Sequence, residues 1–147
     1  MAASAWTIFD AGKNFIGVGS MALSANTFRM SLHKSAASTN LSGAITLFTS
    51  IGNEVGAGGG YSALALSGVT WAAGTSAGVQ KWDCTDPVFT ASASDTTNVR
   101  YAVIRKSVSA TGGHPLCFAA LSTVAFTVST GNTLTIQMAT TGVFTLT

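Results

Sequence analysis

Apolar and polar side chains alternate with a period of two along most of this chain, the pattern of a β-strand with one buried face. Between residues 27 and 33 the apolar side chains are Phe28, Met30 and Leu32, and the polar ones opposite are Thr27, Arg29, Ser31 and His33. The same reasoning predicts strands over residues 27–33, 44–49, 61–71, 88–91, 98–107, 115–120, 125–129, 133–139 and 143–147.

Segments rich in Gly, Ser, Thr and Asn separate these predicted strands, as in the stretches STNLSG and SASDTTN. Only the segment from Asp10 to Gly19 has helical character, with Phe15 and Ile16 as its apolar contacts. Short strands at this spacing predict an all-β fold. We expect an antiparallel β-sandwich or jelly-roll-like single domain over residues 1–147, with at most one short N-terminal helix.

Four of the five residues from Gly56 to Gly60 are glycine, which raises the question of a phosphate-binding loop. A P-loop needs Lys and then Ser or Thr after its last glycine, whereas Gly60 is followed by Tyr61 and Ser62. A dinucleotide-binding motif counted from Gly56 would need glycine at the position of Tyr61. We therefore interpret these glycines as a flexible connection that leads into a strand.

Charged residues make up only 8% of the chain, against about 25% in a typical soluble domain. Ser, Thr, Asn and Gly must therefore supply most of the hydrated surface, and such a surface repels its own copies only weakly. We expect much of it to be covered by other subunits in a homo-oligomer, with a trimer favoured. The alternative is a monomer with a Ser- and Thr-rich β surface.

Several partners are not expected. The net charge is +2, and Arg105 and Lys106 are the only adjacent basic pair, so the clustered basic face of a nucleic-acid-binding protein is missing. No window approaches the roughly 18 apolar residues of a membrane-spanning helix. The N-terminus lacks the pattern of a secretion signal.

Cys84 and Cys117 are too few for a disulfide framework and predict buried thiols in a reducing cytoplasm.

The residues that usually carry catalysis or bind metals do not form a known pattern. His114 and Cys117 would point to opposite faces of one strand, and His33 lies in another strand. Neither C-x-x-C nor H-x-x-x-H occurs, and the loose acidic group of Asp83, Asp86 and Asp95 lacks the ligand spacing of a calcium loop. The sequence therefore predicts a protein that is not an enzyme and has no catalytic residue, cofactor or metal site.

Aromatic residues are the candidates for contacts with partners. We expect Trp71 to lie in the core and Trp82, between Lys81 and Asp83, to expose its ring. The candidate interface residues are Tyr61, Trp71, Trp82, Phe126 and Phe144. The strand edges of residues 125–129 and 143–147 are further candidates for pairing with a neighbour. A carbohydrate-binding adhesin that uses Trp82 and Tyr61 is the alternative from another functional class.

Several segments together resemble a family of small virion proteins from tailed bacteriophages. The residues that carry the resemblance are Thr27 to Leu32, Asn53-Glu54-Val55 with Gly60-Tyr61, Asp86-x-Val88-x-Thr90, Arg100 to Ile104, and the ending TLTIQMATTGVFTLT. The chain departs from the family pattern at Arg105, where the family tends to have Tyr, and after Tyr61. We expect both departures to lie on the surface.

The resemblance implies a β-rich, non-enzymatic structural protein of the virion, made in the cytoplasm of a bacterial host. Together with the low charge, it favours a capsid decoration (cement) subunit that binds the major capsid protein and stabilises the shell. A tail, neck, head-fibre or spike-base component is the alternative within the same particle.

Overall fold

A computed structural model describes residues 4–39, 41, 44–56, 60–108 and 113–146. The strands in chain order are β1 (Thr7–Ile8), β2 (Phe28–Lys34), β3 (Leu64–Ala65), β4 (Thr70–Ala73), β5 (Gln80–Asp83), β6 (Val88–Thr90), β7 (Thr96–Ser107), β8 (Gly113–Ala120), β9 (Phe126–Val128), β10 (Thr133–Thr135) and β11 (Phe144–Leu146). The helix α1 (Asp10–Gly17) and two 3₁₀ helices (Ser35–Thr39 and Phe48–Ser50) complete the described elements.

The strands form three antiparallel sheets. The largest has six strands in the order β1-β8-β7-β2-β3, with β9 paired to the first part of β7. Strands β6 and β10 form a two-stranded sheet, and β5 lies between β4 and β11 in a three-stranded sheet. The prediction of an all-β, antiparallel single domain with one short helix is therefore confirmed.

The inner cluster is the large apolar core between the six-stranded sheet and the two small sheets. Met30, Leu32 and Ile104 come from the large sheet, and Trp82 and Phe144 come from the three-stranded sheet. Trp71, Trp82 and Phe144 lie side by side across β4, β5 and β11, and the rings of Trp82 and Phe144 stack with centroids 5.5 Å apart. Burial of this many apolar side chains is the main source of stability in such a fold.

The opposite face of the six-stranded sheet is also covered. The outer cluster consists of Phe9, Ala37, Phe48, Ile51, Tyr101 and Val103, and much of its cover comes from residues 44–56, which we call the outer cap. Val55, near the end of this segment, packs in the inner cluster instead. Ser31 and His33, on the polar face of β2, are 0% and 1% exposed. The prediction that this strand buries only one face is therefore wrong, because the outer cap covers the other face.

Helix α1 begins with the predicted segment at Asp10, ends at Gly17 and packs against β8. A Cβ atom at Gly12 would lie 2.6 Å from the carbonyl oxygen of Leu116, so only glycine allows the helix to approach this closely. The helix ends at Gly17, and Gly19 follows with a φ of +74°. None of the helices in the described part of the chain has the length and hydropathy that a bilayer crossing requires.

Three predicted strands differ from the structure. Residues 44–49 form no strand in the described part of the cap, because Phe48 begins a 3₁₀ helix that inserts its ring into the outer cluster. The predicted strand over residues 61–71 is divided into β3 and β4, with Gly68 at a φ of +60° between them. The strand predicted over residues 133–139 ends at Thr135 as β10. Strands β1 and β5 were not predicted.

Candidate functional site

The candidate site is an open groove of about 750 Å³ between the N-terminal segment and the end of the chain. Its walls are residues Ser4 to Ile8 and Lys13 on one side and Gln137 to Ala139 and Thr141 to Thr145 on the other. Lys13 is the only charged residue among these, and Asp10 lies 3.0 Å from its Nζ atom. A partner would therefore enter a mixed surface of methyl, hydroxyl, amide and aromatic groups with almost no ionic character.

Two aromatic residues line this groove. Trp6 is partly buried and packs against the inner cluster, and Phe144 is 8% exposed and rests on Trp82. The indole of Trp82 donates a hydrogen bond from Nε1 to the carbonyl oxygen of Leu23, at 3.1 Å. The wall that carries Phe144 is therefore supported by a fixed layer behind it, and a partner would meet a preformed surface.

Strand edges flank the groove. β1 is the last strand of the six-stranded sheet, and β11 is the last strand of the three-stranded sheet. Among the described strands each of them pairs on one side only, β1 with β8 and β11 with β5. An edge strand carries backbone donors and acceptors that an added strand can pair with. Of the two edges predicted for pairing, 143–147 lies here as β11, with residue 147 outside the described part of the chain. The other, 125–129, contains β9, whose partner among the described strands is β7.

The five predicted interface residues differ in how exposed they are. Trp82 is 0% exposed, so the prediction of an exposed ring is wrong: the apolar row across β4, β5 and β11 turns Trp82 into the inner cluster. Trp71, expected in the core, is partly exposed on β4 at the edge of the same sheet. Tyr61 is 5% exposed, Phe126 is partly exposed on β9, and Phe144 lines the groove. Trp6, which also lines the groove, is not among these five residues.

Ser31 and His33 form a hydrogen-bonded pair beneath the outer cap. The Oγ of Ser31 lies 3.0 Å from Nε2 of His33, and Nδ1 of His33 lies 2.8 Å from the carbonyl oxygen of Gly52. A catalytic nucleophile and base have the same connectivity. Here both side chains are buried, and burial lowers the pKa of the His33 ring to about 4, which makes it a weak base at neutral pH. The arrangement places no hydroxyl where a substrate can reach it.

Tyr61 connects the inner cluster to the outer cap. Its hydroxyl accepts a hydrogen bond from the N–H of Leu32 at 2.8 Å and donates one to Oε1 of Glu54 at 3.0 Å. Burial, with the nearby Glu54 carboxylate, raises the pKa of Tyr61 far above its usual value. The ring also stacks on Phe89, with centroids 6.0 Å apart. Tyr61 therefore has a complete structural role inside the protein.

Arg105 is 0% exposed, so the expectation that this position lies on the surface is wrong. Its guanidinium carbon lies 3.9 Å from the centre of the Phe48 ring, in the geometry of a cation–π contact. Burial lowers the pKa of Arg105, and the Glu54 carboxylate opposes that shift. The second departure from the family pattern, after Tyr61, was also expected on the surface. There Ser62 is exposed and Leu64 is half-buried.

The remaining candidate ligands stay apart. Within the described ranges, no three His, Cys, Asp or Glu residues come together as a metal site. Cys84 and Cys117 are both buried as free thiols, as predicted, and burial raises the pKa of Cys84 to about 12 and that of Cys117 well above its usual value. Asp86 accepts the N–H of Met138, and Asp95 accepts both the N–H and the hydroxyl of Thr130.

Most of the glycine-rich stretch, residues 57–59, lies outside the described residues. Gly60 has a φ of +83°, and a Cβ atom there would lie 1.8 Å from Oγ of Ser92. Tyr61 follows in an irregular segment rather than in a strand, so the predicted strand begins too early.

Comparison of the chain with protein-family models, with curated proteins and with solved structures found no match.

Proposed function

We propose that this chain is a structural subunit of a tailed-phage particle, and specifically a capsid decoration subunit that binds the assembled shell. The observation that carries the proposal is the groove between β1 and β11, where two sheet edges flank a surface whose only charged residue is Lys13. Such a surface suits contact with a neighbouring polypeptide, and the low charge of the whole chain suits dense packing among subunits.

The groove would bind an extended segment of a neighbouring subunit by strand addition. Backbone hydrogen bonds to β11 would supply affinity, and side chains of the segment would pack on Trp6 and Phe144. Both aromatic side chains border the same groove, so one strand can contact both. The neighbour is the major capsid protein or a second copy of the chain in a trimer.

Stabilisation of a shell by such a subunit follows from mass action. A protein that binds the intact shell but not its dissociated subunits stabilises the shell by RT ln(1 + [L]/Kd). Many uncharged contacts repeated over the lattice achieve this without the cost of burying isolated charges.

Two alternatives remain. A tail, neck or head-fibre component would use the same groove at a different place in the particle. A carbohydrate-binding adhesin was suggested by Tyr61 and Trp82, and both residues are buried, at 5% and 0% exposed. A glycan array on the intact protein would favour the adhesin only if binding required Trp6, the aromatic residue that the groove leaves partly accessible.

The proposal is tested by placing a charge on the groove edge. Thr145 is exposed on β11 and lines the groove, and Thr145→Lys puts an ammonium group where a partner strand would exclude water. We expect the variant to fold normally but to lose binding to purified shells in co-sedimentation. Ser94→Lys, in an exposed loop remote from β11 in the chain, adds the same charge and should bind like the wild type. Unchanged binding by Thr145→Lys would contradict the proposed role of the groove.

A further inference from the structure

The ring of His33 joins the six-stranded sheet to the outer cap through a direct hydrogen bond. Its Nδ1 lies 2.8 Å from the carbonyl oxygen of Gly52, which can only accept, so Nδ1 carries the proton. Nε2 is then an acceptor in the neutral ring, and the hydroxyl of Ser31 donates to it at 3.0 Å. Both ring nitrogens of neutral His33 are therefore satisfied.

The turn that presents this carbonyl group has an unusual backbone. Gly52 and Asn53 have φ values of +63° and +51°, both in the left-handed region. Two backbone bonds hold the turn to β2, from Lys34 N–H to the Asn53 carbonyl and from Val55 N–H to the Leu32 carbonyl, each at 2.9 Å. These bonds attach the outer cap to β2 beside His33.

Protonation would reverse the hydrogen bond at Nε2. An imidazolium donates from both nitrogens, so Nε2 would donate to the hydroxyl oxygen of Ser31, whose own proton would turn toward the carbonyl oxygen of Val103, at the long distance of 3.5 Å. The main obstacle to protonation is therefore the burial of a charge, because His33 is 1% exposed.

The charges around the ring also oppose a second cation. Arg105 of β7 is fully buried and positive, and Glu54 of the outer cap supplies one negative charge. The other ionisable groups around this part of the sheet are Arg29 and Lys34 on β2, Tyr101 on β7, and Tyr61. With His33 neutral, the half-buried carboxylate of Glu54 offsets the charge of Arg105, and a proton on His33 leaves an excess positive charge. Burial is the main reason that the pKa of His33 falls to about 4.

We propose that His33 is an acid-sensitive latch: when its ring takes up a proton, the outer cap separates from the sheet while the inner cluster stays packed. Opening brings His33 into water, where a histidine has its ordinary proton affinity. The open form therefore binds more protons than the closed form between the two pKa values, from 6.5 down to about 4. Opening is favoured as the pH falls through that range and becomes independent of pH below it.

Amide hydrogen exchange of the intact chain, followed by NMR, tests this directly. The cap reporters are the amide of Lys34, which donates to the carbonyl of Asn53, and the amide of Ile51, which donates to the carbonyl of Phe48. The reporter of the inner cluster is the amide of Val143, which donates to the carbonyl of Trp82. After correction for intrinsic exchange rates, we expect the protection of Lys34 and Ile51 to fall about 100-fold from neutral pH to pH 4. Val143 should remain better protected than Lys34 throughout.

Two variants show whether His33 is responsible. His33→Gln cannot take up a proton but keeps a side-chain amide for hydrogen bonding, so its cap amides should lose this pH dependence. His114→Gln removes the other histidine, which lies on β8 against Phe15, and should behave like the wild type. Equal protection of Lys34 and Val143 at every pH, or an unchanged pH dependence in His33→Gln, would overturn the proposal.

The wild-type ring provides a second readout if His33→Gln does not fold. Its NMR signals should shift over the same pH range in which the cap amides lose protection. A ring that becomes protonated while the cap amides keep their protection would equally contradict the latch.

Discussion

The two faces of the six-stranded sheet are buried in different ways. The inner face packs on regular strands, and the row of Trp71, Trp82 and Phe144 on the three-stranded sheet contributes to the inner cluster. The outer face is covered largely by irregular chain, and it buries Arg105 and His33 beside the ring of Phe48. The inner cluster gains stability from apolar area, whereas the outer cluster depends on hydrogen bonds and charges that must all be satisfied.

The largest effect should come from the centre of the inner cluster. Trp82→Ala removes a fully buried indole and its stacking partner for Phe144, and we expect a loss of about 4 kcal/mol in the free energy of unfolding. Urea denaturation followed by circular dichroism measures this loss. Trp71→Ala, in the same row but partly exposed, should cost less than half as much. Equal losses would show that Trp82 is not the centre of this core.

A smaller and more local effect should follow in the outer cluster. Phe48→Ala removes the ring beneath Arg105 and should destabilise the closed cap by about 3 kcal/mol. Because the inner cluster does not include Phe48, we expect limited proteolysis to cut the cap while the tryptophan fluorescence keeps its folded spectrum, since all three tryptophans contact the inner cluster. Loss of the folded tryptophan spectrum together with cap cleavage would mean that the two faces unfold as one unit.

The hydroxyl group of Tyr61 links the inner cluster to the outer cap. Tyr61→Phe removes the hydroxyl that accepts from Leu32 N–H and donates to Glu54, which leaves a buried backbone donor without its partner. The expected cost is about 2 kcal/mol in urea denaturation. Tyr101→Phe, in the outer cluster, is the matched control and should cost less. A neutral Tyr61→Phe would show that this link does not couple the faces.

An exposed link outside both clusters should have the smallest effect. Asp95 accepts two hydrogen bonds from Thr130, and these hold its pKa below the usual value. Its contribution is therefore present at neutral pH and disappears as the pH falls through the folded-state pKa. Thermal unfolding should show Asp95→Ala slightly less stable than wild type at neutral pH and equal to it in strong acid. A difference that persisted in strong acid would contradict this origin.

The comparison also explains what could be predicted from the sequence. Period-two alternation gave the all-β class and the apolar face of β2, because burial on the inner side requires it. The same alternation concealed the outer cluster, since Ser31 and His33 have the polarity of an exposed face and yet are covered by residues 44–56. A polar residue is buried when tertiary contacts satisfy it, and a local pattern cannot show those contacts.

The candidate site was predicted only in part. Phe144 and the edge at residues 143–147 were predicted as contacts for a partner, and residues 143–145 border the groove. Trp6 was not among the predicted interface residues, because it precedes the two-residue strand β1 and has no periodic pattern around it. Trp82 was misplaced because its charged neighbours Lys81 and Asp83, which form an ion pair at 3.3 Å on the other face of β5, suggested exposure.

The proposed role in a phage shell is tested most directly by counting copies of this chain in purified particles with quantitative mass spectrometry. A decoration subunit predicts hundreds of copies per particle, comparable to the capsid lattice, whereas a neck component predicts roughly a dozen. Particles that contain hundreds of copies would agree with the account, and particles that contain none would contradict it.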